Sequence, residues 1–216
     1  VETFSTDMES LTLLFLTLVL FGVIHSILAR LVFKQWLKRY WGDYFFEGWY
    51  RLLYNLFAIV TFTPPALILL ATESGDVWQT SPSLTLIFRI MQGVGLLGLT
   101  VSLLQIDGGQ FLGTKQARAW FNRAPLPLPT EPLQVRGVYR LTRHPLYFFS
   151  LLVLWFTPTL TLTGLVFNVG VTLYFLLGSQ FEERTLLAIF GEDYRIYQKQ
   201  VAWMIPFVKL PTSNPT

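Results

Sequence analysis

Residues 11–29 read LTLLFLTLVLFGVIHSILA, a run without a single charge. At about 1.5 Å per residue, a helix of that length crosses a hydrocarbon core of roughly 30 Å. The run shows none of the period-two alternation of a barrel strand, so a membrane-spanning helix is predicted. The acidic residues before it (Glu2, Asp7 and Glu9, with no basic residue among them) are the reverse of a signal peptide's positive leader. The run is therefore read as a retained first span.

Further stretches share its character. Leu52 to Ala71 forms a second span, with a kink predicted at Pro64-Pro65. Leu84 to Ile106 forms a third, with Gly93, Gly95 and Gly98 offering close helix packing. Residues 146–180 hold 35 positions without a charge, too many for one helix. They are read as a hairpin of two helices, 146–157 and 164–180, turning near Thr157-Pro158 and Gly164. Composition agrees with this class, since 52% of the 216 residues are hydrophobic and only 13% charged. The fold expected is an all-α polytopic membrane protein, one domain over 1–216 with about five transmembrane helices and a C-terminal hairpin. Cysteine is absent, which excludes disulfides, thiolate metal sites and a cysteine nucleophile, and no metal site is expected. A net charge of +3 gives no case for nucleic acid; membrane lipid is the expected surrounding.

The basic residues orient this layout, because Lys and Arg collect on the cytoplasmic side of membrane proteins. Segment 30–51 has five, segment 107–145 has six and the tail from 181 has four, together fifteen of sixteen. The exception, Arg89, lies in the first turns of the third span. The N-terminus is expected outside, the C-terminus in the cytoplasm, and the membrane to be a bacterial inner membrane. Within the second basic segment, residues 123–135 (RAPLPLPTEPLQV) hold four prolines and favour a stiff extended connector.

The chemistry concentrates around the hairpin. Before it stands Gly137-Val138-Tyr139-Arg140-Leu141-Thr142-Arg143-His144-Pro145-Leu146-Tyr147; after it come Phe181-Glu182-Glu183-Arg184 and then Phe190-Gly191-Glu192-Asp193-Tyr194-Arg195-Ile196-Tyr197. A helical hairpin returns to the side it left, so both elements are expected on one cytoplasmic face, as a site drawn from 137–147 and 181–206. Pro145 suits the first helical position, and the open N–H groups there suit an anionic ligand group. Arg143, His144, Tyr139 and Tyr147 add donors and aromatic faces, while Glu182 and Glu183 add acceptors for an amine or for hydroxyls. S-adenosylmethionine is a ligand of that description. The plainer readings are that Arg143 anchors the chain at the interface, that Tyr139 and Tyr147 are interfacial aromatics, and that Tyr194 and Tyr197 are packing residues of the tail.

The elements RGVYRLTRHPLY, EER and FGEDYRIY together resemble the signature of membrane methyltransferases related to isoprenylcysteine carboxyl methyltransferase, over residues 133–207. The N-terminal half, through HSILARLVFKQWL, YRLLYNLFA and IDGGQFLGTKQ, resembles the bacterial methanethiol S-methyltransferase branch. The resemblance implies cofactor contacts at Tyr139, His144, Pro145, Tyr147, Glu182 and Glu183, and a cytoplasmic lid from Phe190 to Pro206. Ala202 stands where the family commonly has proline. The enzyme expected is an S-adenosylmethionine-dependent methyltransferase acting on a small or lipophilic thiol. Arg143 or Arg195 would orient the acceptor. Carboxyl methylation of a prenylcysteine-like acid is the alternative acceptor chemistry, which a first arm of the hairpin as short as 146–157 disfavours.

His25 lies inside the first span, where an ionisable side chain is costly. Its expected partner is a backbone carbonyl or Asn55 of the second span. Around His25-Ser26 the chain also resembles the carotene isomerases, which use haem; a haem isomerase here would need both histidines, His25 and His144.

Overall fold

In a computed structural model of the chain, which describes residues 2–208 and the side chains from residue 8 onward, helix dominates. Glu2 and Asp7, which argued against a signal peptide, lie outside the residues whose side chains are described. The elements in chain order are α1 (Glu2–Ala29), α2 (Leu31–Trp41), α3 (Asp43–Ala71), β1 (Asp76–Gln79), α4 (Pro82–Leu104), α5 (Gly108–Leu112), α6 (Thr114–Phe121), a 3-10 turn (Gly137–Arg140), α7 (Pro145–Trp155), β2 (Thr159–Thr161), α8 (Leu162–Phe190) and α9 (Glu192–Gln200). Two four-residue-or-shorter strands, β1 and β2, pair with each other. The expected all-α membrane protein is what the structure has.

Among the described residues, four helices are long and apolar enough to cross a bilayer: Met8–Ala29, Asp43–Ala71, Pro82–Leu104 and Leu162–Phe190. The fifth expected span is shorter than the reading had it. Pro145–Trp155 has 11 residues, about 16 Å of helix against a core of roughly 30 Å. It stops at Phe156 because Pro158 disfavours the α conformation at Thr157. Two helix ends also lie beyond the apolar runs. α3 begins at Asp43, before the expected Leu52, and α8 continues past 180 to Phe190, because leaving the bilayer removes the need for apolar residues without ending a helix. α3 also runs through Pro64 and Pro65 as one helix.

The chain divides into two compact units. The first holds residues 1–75, 107–131 and 161–171. In it α1 and α3 pack antiparallel: Tyr50 Oη donates to the Leu28 carbonyl, Tyr54 meets His25, and Phe62 meets Phe21. The segment α5–α6 lies along the first half of α3. Trp120 fills the space over Gly48, and Asn55 Nδ2 donates to the carbonyls of Phe111 and Leu112 at 3.0 and 3.1 Å.

The second unit holds residues 76–106, 132–160 and 172–216. α4 and α7 pack antiparallel, with Gln92 Nε2 donating to the Val153 carbonyl at 3.1 Å. Gly95 and Gly98 face Val153 and Phe149, where any β-carbon would overlap them, so these two glycines permit the close approach the sequence predicts. Gly93 faces open space and takes no part. From Thr172 onward α8 runs antiparallel to α7: Trp155 Nε1 donates to Thr172 Oγ1, and the ring of Tyr147 stacks on Phe175. The C-terminal end of α4, the N-terminal end of α7 and the polar end of α8 therefore meet at one end of the second unit.

Candidate functional site

The chain enters this end through Gly137, whose φ of 59° is a left-handed conformation that favours glycine. A side chain there would also collide with the Gln105 amide. Gln105 Oε1 accepts from Val138 N–H at 3.2 Å, tying the 3-10 turn to the end of α4. Thr142, fully buried, then fixes the approach to α7: its hydroxyl donates to the Trp203 carbonyl at 2.9 Å and accepts from His144 N–H at 3.2 Å. Arg143 N–H donates to the Ala202 carbonyl at 2.9 Å. What position 202 contributes is thus a carbonyl, which proline would supply equally, and alanine in place of the family's proline leaves the contact intact.

At the centre lies the Glu183 carboxylate, which faces five donors. Arg143 forks onto it through Nε at 2.8 Å and Nη2 at 3.1 Å. His144 Nε2 lies 2.9 Å away, Tyr194 Oη donates at 2.8 Å, and Gln198 Nε2 completes the set. Arg143 Nη1 meanwhile donates to the carbonyls of Gln198 and Val201 at 3.1 and 2.7 Å. A cation on the last carbonyls of α9 satisfies groups that the helix leaves open and complements its dipole. Three segments remote in sequence, the Arg143-His144 pair, the polar turn of α8 and α9, are closed onto one carboxylate.

Glu182, the neighbour, differs. Its side chain is 47% exposed against 13% for Glu183, because successive residues on a helix point about 100° apart. Its Oε2 stands 3.4 Å from His144 Nδ1. Both ring nitrogens of His144 therefore look onto carboxylates. Burial works to lower the His144 pKa, but the bonds and charges of Glu182 and Glu183 outweigh it, and the net direction is up. The imidazole ring stacks on Tyr147 at 5.4 Å with the planes almost parallel. Pro145 is fully buried at the first position of α7, and no side chain caps that helix start.

Tyr194 and Tyr197 are both buried and pack edge to face, as tail packing predicts. Tyr197 Oη donates to the Tyr139 carbonyl at 2.6 Å, and burial pushes both phenols above their usual range. The two arginines considered for the acceptor part company. The Arg143 side chain is 9% exposed and turned inward, whereas that of Arg195 is 59% exposed and has Glu192 at 3.5 Å. The sequence assigns no role to Gln198, to Gln105 or to Thr142 within its element. Only Gln198 carried a signal, one helical turn beyond Tyr194 on the same face of α9.

His25, in the first unit, does not meet Asn55. Its Nε2 lies 2.5 Å from Tyr54 Oη, and Asn55 turns toward α5. One residue along a helix is a rotation of about 100°, enough to exchange the two neighbours. With both nitrogens of His144 against carboxylates, the paired-histidine haem reading finds no open ligand atom there.

A comparison with proteins of known activity finds relatives along nearly the whole chain. The methanethiol S-methyltransferase of Pseudomonas deceptionensis is 34% identical over 203 residues, covering 90% of this chain and 72% of that protein. The methanethiol S-methyltransferase of Mycobacterium tuberculosis is 32% identical over 199 residues, covering 87% and 74%. Methanethiol S-methyltransferase 2 of Bradyrhizobium diazoefficiens is 30% identical over 198 residues, covering 92% and 74%. No family model matches the chain, and no solved structure does.

Proposed function

This chain belongs to the family of the methanethiol S-methyltransferases, and we propose that it moves a methyl group from S-adenosylmethionine to methanethiol or a similarly small thiol at the membrane. The observation that carries the reading is the cluster at the end of the second unit, where an exposed carboxylate, an uncapped helix start and stacked rings stand together.

That donor set fits the proposed methyl donor group by group. Glu182 offers exposed acceptor oxygens to an amine or to ribose hydroxyls. The first N–H groups of α7, behind Pro145, suit a carboxylate. Tyr139 and Tyr147 offer aromatic surface, and His144 holds its ring against Tyr147. S-adenosylmethionine, when bound, supplies an electrophilic methyl group on a sulfonium sulfur. Glu183 serves differently, by fixing Arg143, His144 and the two ends of α9 rather than by touching the ligand. Arg195, exposed, is the arginine able to favour a thiolate over a thiol, which is the form that attacks carbon. No covalent residue is required, and the protein's main task is alignment.

The eleven-residue α7 gives little depth for a long prenyl chain, which supports the small acceptor. The fifteen-to-one distribution of basic residues supports a cytoplasmic site with the N-terminus outside, and the bacterial sources of the relatives support an inner membrane. α7 together with the extended residues up to Thr161 would then make one crossing. A C-terminal reporter should read cytoplasmic and a tag near residue 74 external; both on one side would refute this topology.

The decisive assay is radiolabelled methyl transfer by purified protein to methanethiol, hydrogen sulfide, a farnesylcysteine analogue and phospholipids. Methanethiol is expected to be the leading acceptor. Turnover of the farnesylcysteine analogue with no small thiol methylated would overturn the acceptor, and no transfer to any of them would overturn the reading.

A further inference from the structure

Helix α2 departs from every other exposed apolar helix of the molecule in its charge. The spans expose large apolar residues too, Ile59 at 67% and Leu70 at 83% among them, but they carry almost no charge, as lipid tails require. α2 exposes Val32 at 77%, Trp36 at 51% and Tyr40 at 72%, a stripe at four-residue spacing, and has no buried residue at all. Yet Arg30, Lys34, Lys38 and Arg39 lie within and beside it, and residues 30–42 contain no acid. A hydrocarbon core would not accept those cations, and water alone would not favour that aromatic stripe.

The cations divide into two sets. Lys38 turns to α3, 2.7 Å from Glu47 and 3.8 Å from Asp43, and Lys34 lies over the Tyr50 ring. Their charge is partly met within the first unit. Arg30 and Arg39 are exposed, and among the described residues neither has an ion pair. α2 also joins the end of one long apolar helix, α1, to the start of another, α3, and so stands where the chain leaves the bilayer.

We infer that α2 is an interfacial helix that binds anionic phospholipid headgroups, with Val32, Trp36 and Tyr40 set into the boundary between headgroups and tails and Arg30 and Arg39 on the phosphates. Each arginine near such a surface contributes about a fivefold preference for anionic over zwitterionic lipid. The preference is screened by salt.

Because the chain has no cysteine, Val32→Cys gives a single fluorescent label on this stripe. The full chain is reconstituted into bilayers in which either phosphatidylglycerol or phosphatidylcholine, at equal fraction, carries the bromine quencher. Brominated phosphatidylglycerol should quench several-fold more effectively per lipid, the difference should shrink in high salt, and adding Arg30→Gln and Arg39→Gln should remove it. Equal quenching by the two lipids would overturn the inference, and this comparison stands even where the triple variant fails to fold. A preference that survives the arginine changes would overturn it also. So would a spin label at the same cysteine that shows label-to-label broadening and no lipid contact, which would put a second copy of the chain on this face.

Discussion

The two histidines of this chain sit in regions built on different principles. His25, within the first span, meets the Tyr54 hydroxyl of a neighbouring helix, and around it Phe21 and Tyr54 pack as they would around any aromatic ring. His144, at the end of the second unit, belongs to a cluster in which one carboxylate on α8 gathers donors from α7's approach and from α9. Deleting the Tyr54 hydroxyl removes one modest bond from His25. Deleting the centre of the cluster strands several buried donors together, and the loss is set by what remains unpaired.

The largest effect is therefore expected from Glu183→Ala. Arg143, inward-facing and deprived of its carboxylate, becomes an uncompensated buried charge, at a cost of about 3 to 5 kcal/mol. Thermal unfolding in detergent should show a large fall in midpoint, with protection of α9 amides from hydrogen exchange lost first. An unshifted midpoint would mean that the cluster is no more cooperative than the His25 pair.

A smaller effect follows from the charge on His144. Its folded pKa lies above the ordinary 6.5, so its contribution to stability is complete below pH 6.5 and is lost as pH rises through the raised value. Melting midpoints should decline over that window on the alkaline side of 6.5, and His144→Gln should flatten the decline. A profile that is level in the parent, or equally sloped in the variant, would remove the imidazolium from the account.

The smallest effect belongs to the first span. Tyr54→Phe removes the hydroxyl that His25 Nε2 meets, and interhelical bonds of this kind average about 0.6 kcal/mol in bilayers. Unfolding should shift only marginally and methyl transfer should persist. Loss of activity in this variant would show that the first unit carries chemistry as well as structure.

The same contrast governs what was legible in the sequence. The long spans were readable because lipid admits little besides uncharged runs, and the stretches 11–29 and 52–71, without a charge, and 84–106, with Arg89 alone, each lie within an observed helix or reach a residue or two past its end. Helix ends outside the bilayer were not readable, since nothing in Asp43–Arg51 or Gln180–Phe190 announces whether a helix continues into water. The His-Pro element and the paired glutamates were recognisable as one face from hairpin geometry alone. The division of labour between Glu182 and Glu183 was not, because adjacent residues look equivalent in a sequence and point apart on a helix. Gln198 lay in a tail where any polar residue would have satisfied the pattern. Tyr54 was missed in favour of Asn55 because a pairing register one residue out selects a different face.

Glu182, half in solvent, is assigned to the ligand, and Glu183 to the frame. The direct measurement is calorimetric titration of S-adenosylmethionine into purified Glu182→Ala beside the parent, with a melting curve for each. The expected result is binding weakened by about 1.5 to 3 kcal/mol, the worth of hydrogen bonds to a charged group, with the melting midpoint lowered far less than by Glu183→Ala. Equal affinity in the two proteins would contradict it and place the cofactor away from this carboxylate.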